Sequence, residues 1–266
     1  MTGAWVIPAA WAGLVLFFGA LWLIQRRTGD AGIVDIGWAA GIGAVSIFYA
    51  LALEGDLVRR VIVALCSAGW GFRLAAYIHW RNHGRGEDGR YRKLREEWGA
   101  EFQGRLFRFY QFQAVTVVVL SLSAWAALLN PASIVSAWTW AAAGIWTLSV
   151  GGEALADAQL ALFRRRPENK GRTCREGLWR YSRHPNYFFE WLHWWTYVLL
   201  AIGTPWVAVT LVAPALMLYV LLRVTGIPAT EAQALASRGD DYREYQRTTS
   251  AFFPWFPKRS AGERNA

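Results

Sequence analysis

The densest group of chemically capable side chains lies in one loop and the start of the apolar segment that follows it. This run reads RRRPENKGRTCREGLWRYSRHPNYFFE from Arg164 to Glu190, and the carboxyl groups of Glu153 and Asp157 precede it. Arginine binds phosphate through a bidentate fork, and lysine binds it as a point charge. The composition therefore favours a site for an anionic ligand that carries phosphate.

The retention of arginine and lysine on the cytoplasmic side of a membrane is an alternative explanation for such charges. Uncharged residues between them do not follow from that rule. Pro185 suits the first position of a helix, so Asn186 falls in the first turn, where backbone amides attract anions. Glu190 follows one turn later on the same face, and a carboxyl group inside an apolar segment is costly unless it is used or paired. We predict a shaped pocket at this loop–helix junction and a functional role for Glu190.

A second pair of ionisable residues lies within apolar segments of the first half of the chain. Asp35 is either functional or a cap at the start of a helix. Arg73 is costly in hydrocarbon without a partner. A pairing of Asp35 with Arg73 would be catalytic or would only neutralise charge.

A glycine-rich run, GRGEDGR over 84–90, follows the third apolar segment. It lacks the preceding strand that a dinucleotide-binding glycine motif requires. We interpret it as a lid that contributes Asn82, Arg85 and Arg90.

Other classes of site are not supported by the residue pattern. The cysteines, Cys66 and Cys174, have no metal-ligand company, and we expect both to be reduced. No metal site is predicted, because His79, His83, His184 and His193 lack the spacing of ligands. The net charge of +9 is distributed between apolar segments, so binding to nucleic acid is not expected.

The elements that must position these groups are membrane helices. The chain is 55% hydrophobic and 15% aromatic, and a span needs about 20 apolar residues. These features predict one all-α membrane domain over 1–266. The expected helices lie near 4–24, 32–53, 60–80, 112–130, 134–160, 187–203 and 205–224.

The basic residues of the loops predict an orientation. Lys and Arg concentrate in alternate connections, which places the N-terminus outside and the C-terminus in the cytoplasm. Three segments would then form a cytoplasmic cap, over 81–111, 164–186 and 225–266.

Several motifs resemble those of the bacterial branch of the steroid 5-alpha-reductase family. They are GLWRYSRHPNYFFE at 177–190, PENKG at 167–171, TGIPATE at 225–231, YREYQRTTSAFFPWFP at 242–257, VDIGW at 34–38 and WGFRLAAYIHWRNHGRGEDGRYRKLREEWG at 70–99. A wider superfamily, which includes sterol reductases and isoprenylcysteine carboxyl methyltransferases, shares the RHPNY-like loop and a Tyr-x-x-Tyr segment. The resemblance implies seven membrane helices, a multi-pass location in the bacterial inner membrane, and NADPH in a cavity open to the cytosol.

The resemblance places the cofactor contacts in the second half of the chain. Asp157, Arg164, Asn186 and Glu190 match the family's positions, whereas Glu153 stands where the eukaryotic reductases have Asn. Thr230 and Glu231 take the places of a histidine pair, and Tyr242 and Tyr245 match the shared tyrosine motif. With the basic run and the lid, the expected contacts are Asp157, Arg164, Lys170, Arg183, His184, Asn186, Tyr187, Glu190, Glu231, Tyr242, Tyr245, Asn82 and Arg85.

At the substrate end, the family uses a Glu and a Tyr to stabilise charge on the carbonyl oxygen. Asp35 takes the Glu position, and burial could keep its carboxyl group protonated so that it donates. Trp70 lies nearest the Tyr position, and Tyr77 is the other candidate. The expected catalytic residues are Asp35 and Tyr77, and the expected substrate contacts are Asp35, Trp38, Trp70 and Arg73.

The function expected from these residues is NADPH-dependent reduction of a 3-oxo-Δ4 steroid or a related lipid enone by a monomer in contact with membrane lipids. One alternative is a methyltransferase of the isoprenylcysteine type that uses S-adenosylmethionine. That cofactor lacks phosphate and leaves the surplus of arginines unexplained. Another alternative is a non-enzymatic membrane protein whose basic loops bind anionic headgroups.

Overall fold

The computed structural model of the protein describes residues 3–84, 86–132 and 136–258. All the regular elements in those ranges are helical, which confirms the prediction of an all-α fold. By contacts the chain groups into two units, Met1–Ser136 with Leu200–Ala213 and Ala137–Leu199 with Pro214–Ala266. The expectation of one membrane domain stays a prediction.

The α-helices of the described ranges follow one another along the chain with the bounds below. They are α1 (Val6–Thr28), α2 (Ile33–Ala52), α3 (Leu57–Asn82), α4 (Gly89–Trp98), α5 (Phe102–Leu128), α6 (Ala137–Arg165), α7 (Pro185–His193), α8 (Trp195–Leu200), α9 (Val207–Thr210), α10 (Val212–Tyr219), α11 (Ile227–Arg238) and α12 (Asp240–Thr248). A π-helical turn, Val220–Val224, joins α10 to α11.

In the first unit, α2 and α3 pack at close range. A Cβ atom on Gly71 of α3 would lie 2.5 Å from the carbonyl oxygen of Ala39, so only glycine permits this approach. The start of α3 is capped by Asp56, whose carboxylate accepts from the backbone N–H of Arg59 at 2.8 Å. The buried Arg59 side chain donates to the carbonyls of Leu200 and Ala132, which ties α3 to both segments.

In the second unit, α6 and α7 pack together around a glycine. A Cβ atom on Gly152 would lie 2.5–2.6 Å from three ring atoms of Phe189. This contact brings the polar end of α6 next to the start of α7. The packing of α6 on α7 therefore brings the segment that carries Asp157 close to the segment that carries Asn186.

Five helical stretches of the described chain are long and apolar enough to cross a membrane, which indicates a membrane protein that contacts lipids. They are Val6–Thr28, Ile33–Ala52, Leu57–Asn82, Gly89–Leu128 and Val207–Arg238. The first four expected spans and the last correspond to them.

The other two expected spans differ from the five in composition and continuity. Helix α6 covers the described part of 134–160, but glycines, tryptophans and the carboxyl groups of Glu153 and Asp157 reduce its apolar character. The stretch 187–203 is interrupted at Trp194, between α7 and α8. The count of seven spans and the orientation stay predictions.

Candidate functional site

The second unit contains a hydrogen bond between two residues singled out from the sequence. The side-chain amide of Asn186 donates to Asp157 at 3.2 Å. Asp157 is buried on α6, and Glu153, one turn earlier, is buried too. Asn186 lies in the first turn of α7, which begins at Pro185 and has no side-chain cap. The structure therefore joins a side-chain amide and a carboxylate at the start of a helix. The backbone N–H groups of that helix start can donate hydrogen bonds to an anion.

Next to this helix start, Arg183 and Glu231 form a largely buried ion pair. Arg183 Nε donates to Glu231 at 2.7 Å, and the two side chains are 11% and 15% exposed. Arg183 Nη1 also donates to the carbonyl oxygens of Gln246 and Thr249. Gln246 in turn donates its side-chain amide to Glu231 at 2.7 Å. Because Nε binds Glu231 of α11 and Nη1 binds carbonyl groups at the end of α12, Arg183 holds these elements together at the site.

His184 lies between the ion pair and α7. Its Nε2 is 3.3 Å from Glu231, and its ring stacks on Tyr187 with an interplanar angle of 5°. Burial lowers the pKa of His184 below its ordinary value of 6.5 and outweighs the opposing pull of Glu231. A neutral imidazole here can both accept and donate one hydrogen bond.

The two tyrosines of the Tyr-x-x-Tyr motif are buried on α12. Tyr242 donates to Glu231 at 3.4 Å, whereas Tyr245 donates to the carbonyl oxygens of Trp179 and Ser182. Burial raises the pKa of both phenols, so both stay protonated as donors. Tyr242 therefore belongs to the polar network, and Tyr245 fixes the loop that precedes α7.

The cations of the basic run are placed differently from Arg183. Arg164, Lys170 and Arg172 are exposed, and Thr173 donates its backbone N–H to Asp241 at 2.7 Å. Arg175 forms an ion pair with Asp241 at 2.9 Å. Part of the run therefore anchors the loop to α12, and the exposed cations are the ones that a phosphate can reach.

In the first unit, Asp35 accepts hydrogen bonds from two residues of α4. The hydroxyl of Tyr91 and Nη2 of Arg90 each donate to it at 2.8 Å. Arg90 also pairs with the α4 cap Asp88, and burial of Asp88 is outweighed by that pairing, which lowers its pKa. Asp35 therefore accepts hydrogen bonds from Tyr91 and Arg90, and Arg90 is the cation with which it forms an ion pair.

The expected substrate contacts in this unit lie on α2 and α3. The rings of Trp38 and Trp70 meet edge to face at 6.2 Å, and Trp70 is fully buried. Tyr77 packs against Trp80 and lies under the guanidinium of Arg81. Arg73 is half-buried on α3. The structure therefore brings Trp38 and Trp70 together and presents Tyr91, not an expected residue, to Asp35.

A cavity of about 350 Å³ opens beside the glycine-rich run. Asn82, His79 and His83 line it, and so does Glu87, which forms an ion pair with Arg95 at 2.7 Å. Arg85, expected to contact the cofactor, lies outside the described residues. Of the expected lid, the structure places Asn82 at the cavity and Arg90 on Asp35.

Sequence reasoning missed Tyr91, Gln246 and Ser182 as members of these networks. Ser182 donates to the carbonyl oxygen of Phe252 and accepts from the backbone N–H of His184. Local signals for them are the YxxY pattern near Gln246, the aromatic position of Tyr91 in the basic loop, and the two-residue spacing of Ser182 from His184. Their other partners, Glu231, Asp35 and Phe252, lie 15, 56 and 70 residues away in the chain, and no spacing rule relates them.

Comparison with known proteins identifies the family to which the chain belongs. No curated protein and no solved structure gives a significant match. Residues 21–249 match the family described as "Protein of unknown function (DUF1295)". Because this match covers most of the sequence, the chain belongs to the DUF1295 family.

Proposed function

We propose that the protein is an NADPH-dependent reductase of a carbon–carbon double bond conjugated to a ketone in an apolar lipid, such as a 3-oxo-Δ4 steroid. The observation that carries the proposal is the Asn186–Asp157 hydrogen bond at the uncapped start of α7. The DUF1295 family is also associated with steroid 5-alpha-reductase-like membrane proteins.

The residues of the second unit fit a dinucleotide cofactor. An amide beside a carboxylate can recognise a carboxamide, which both donates and accepts hydrogen bonds. The exposed cations Arg164, Lys170 and Arg172 supply charge for phosphates. Bound NADPH would supply the hydride, and water or a nearby side chain would supply the proton that adds to the neighbouring carbon. Asn186, Glu190 and Asp157 would orient the cofactor, and Arg183 and Glu231 would keep the start of α7 in place.

The residues of the first unit fit the carbonyl of an enone. Hydride addition places negative charge on the carbonyl oxygen, which needs hydrogen-bond donors. Arg90 is such a donor, because its guanidinium has five N–H groups and only part of them is engaged by carboxylates, whereas the single hydroxyl proton of Tyr91 is donated to Asp35. Asp35 positions Arg90. The role proposed for Asp35 therefore changes from a protonated donor to a positioning residue. Trp38, packed against fully buried Trp70, would supply an apolar wall for the substrate.

The test is equilibrium binding of NADPH and of S-adenosylmethionine to the purified full chain, with turnover measured on a panel of 3-oxo-Δ4 steroids. We expect wild-type protein to bind NADPH, and Asn186→Ala and Glu190→Ala to weaken binding tenfold or more, about 1.4 kcal/mol. Gln233→Ala and Glu168→Ala are matched controls, because both residues are exposed.

Two outcomes would reject the proposal. Binding of S-adenosylmethionine without binding of NADPH would indicate a methyltransferase. Absence of binding to either cofactor, with all four variants alike, would indicate a protein whose basic loops only engage lipid headgroups.

A further inference from the structure

An aromatic segment follows α12 and lies outside the helices that could cross a membrane. We call residues 252–258 the aromatic loop. Phe252 is buried, whereas Phe253, Trp255 and Phe256 are 54%, 72% and 75% exposed. Exposed apolar side chains on a spanning helix contact acyl chains, but that explanation does not extend to a segment beyond the last span. A cluster of exposed aromatic residues of this kind marks an interaction surface.

The backbone of the aromatic loop is fixed to the rest of the second unit. Ser182 donates to the carbonyl oxygen of Phe252 at 2.8 Å, and Trp255 donates its backbone N–H to Tyr181 at 2.9 Å. Lys258 donates its backbone N–H to Thr248 at 2.8 Å. Pro254 and Pro257 restrict the backbone on both sides of Trp255 and Phe256. The exposed rings are therefore displayed by an ordered loop, at a low cost in conformational entropy.

Contacts between aromatic rings connect the aromatic loop to α7. Buried Phe252 packs against half-buried Phe188 and Trp191, with ring centroids 5.9 Å apart in both pairs. Phe253 also contacts Trp191, at 5.7 Å. Phe256 meets Tyr181 edge to face at 6.0 Å. Phe253 thus rests on half-buried Trp191, and Phe256 rests on the exposed ring of Tyr181.

Positive charge flanks the exposed rings. Arg180 precedes Tyr181, and Lys258 ends the aromatic loop; both side chains are exposed. Arg247, one residue before Thr248, is paired with Glu244 at 2.6 Å. Tryptophan and tyrosine favour the interface between headgroups and hydrocarbon, and each lysine or arginine near an anionic surface adds attraction. Aromatic rings flanked by cations match the chemistry of an anionic lipid surface.

We propose that the aromatic loop docks on the membrane surface and inserts Phe253, Trp255 and Phe256 among the headgroups of a bilayer that contains anionic lipid. This contact is independent of the proposed reaction. It would attach α12, and with it the segment that carries Tyr242 and Gln246, to the bilayer.

A fluorescent reporter at position 256 tests the proposal. The full chain with Phe256→Cys is labelled with an environment-sensitive nitrobenzoxadiazole dye and placed in nanodiscs of phosphatidylcholine and phosphatidylglycerol. Asp240→Cys is the control site, since its side chain is 92% exposed at the start of α12. The native cysteines are buried, and labelling of the wild type measures their background.

We expect a blue-shifted emission at position 256, with several-fold stronger quenching by a nitroxide lipid and weaker quenching by aqueous iodide than at position 240. Equal quenching by iodide at both positions would overturn the proposal. Self-quenching that grows with the number of chains per disc would overturn it too, because it would assign the surface to a second copy.

The contribution of charge is tested separately. Replacing Arg180 and Lys258 with Gln should reduce nitroxide quenching at position 256 in discs that contain phosphatidylglycerol and leave it unchanged in pure phosphatidylcholine. Identical quenching before and after this double substitution would overturn the role of anionic lipid.

Discussion

At the scale of single residues, the contact between Asn186 and Asp157 decides how the start of α7 is held. Asn186→Asp would place a second carboxylate 3.2 Å from a buried one. The repulsion and the loss of the amide donor should lower the free energy of unfolding by about 1–3 kcal/mol. Thermal unfolding of the purified protein measures this loss.

The matched control for that substitution is Gln233→Glu, which makes the same change of amide to acid on an exposed part of α11. Combining Asn186→Asp with Asp157→Asn restores one amide and one carboxylate. This swap should recover part of the lost stability. Failure of the swap to recover any would contradict a direct interaction between the two residues.

His184 makes stability depend on pH. Burial lowers the pKa of His184, so below pH 6.5 the unfolded chain binds a proton that the folded chain does not yet bind. The contribution of His184 to stability is therefore fully present above pH 6.5. It is lost as the pH falls from 6.5 to the lowered pKa of the folded state. Unfolding measured at about pH 7.5 and about pH 5 should show a smaller loss in His184→Gln than in the wild type. An equal loss in both proteins would show that His184 does not control this dependence.

Part of the residue-level detail follows from the sequence. Asn186 and Asp157 were both singled out and are in contact, and so are Trp38 and Trp70. The partners of Asp35 were not identified, because a salt bridge across 55 residues depends on how helices pack. Roles of these residues in cofactor or substrate binding stay predictions.

At the scale of elements, the close approach of α6 and α7 depends on the absence of a side chain at position 152. Gly152→Ala would place a methyl group 2.5–2.6 Å from the ring of buried Phe189. The helices would have to separate or the ring would have to move, at a cost of about 1–3 kcal/mol. Chemical or thermal unfolding can detect a change of that size.

The neighbouring glycine supplies the control. A Cβ atom on Gly151 would meet nothing within 4 Å, and this residue lies in the same helix. Gly151→Ala should therefore be neutral or stabilising by up to about 1 kcal/mol, because alanine favours helix. Similar destabilisation by both substitutions would contradict the packing argument and indicate a general intolerance of change in α6.

Helix positions were predicted better than helix ends and breaks. The apolar runs identified α1, α2 and α3 to within a few residues, because hydrophobicity and length are local properties. The predicted start near 112 is ten residues later than the observed start of α5 at Phe102, since polar residues such as Gln103 and Arg105 interrupt the apolar run in the first turns of the helix. The interruption at Trp194 has no glycine or proline signal.

At the scale of the whole molecule, the number of crossings decides on which side the basic region lies. With N-terminus outside, seven crossings place Lys170 in the cytoplasm. If α6 and the α7–α8 segment do not cross, the five spanning stretches place it outside. The concentration of arginine in 164–183 favours the cytoplasm. Helix α6 has 29 residues, or about 43 Å at 1.5 Å per residue, which exceeds the thickness of the hydrocarbon.

Reporter fusions distinguish these topologies. We expect alkaline phosphatase to be inactive and green fluorescent protein to be fluorescent when joined after Lys170, and the reverse after Gly55. Fusions at the C-terminus should behave like those after Lys170. Phosphatase activity after Lys170 would contradict seven crossings and would also remove cytosolic NADPH from consideration.

The hydrogen bonds from Arg183 to distant carbonyl groups have a consequence for biosynthesis. Arg183 donates to Gln246 and Thr249, which lie 63 and 66 residues later in the chain. At about 5–20 residues per second, a ribosome needs several seconds to make that interval. During this time the guanidinium must remain hydrated or bind lipid headgroups, so α7 cannot settle into its final position. The polar site is thus assembled in two stages, and a chain that stalls between them would expose an uncompensated cation to quality control.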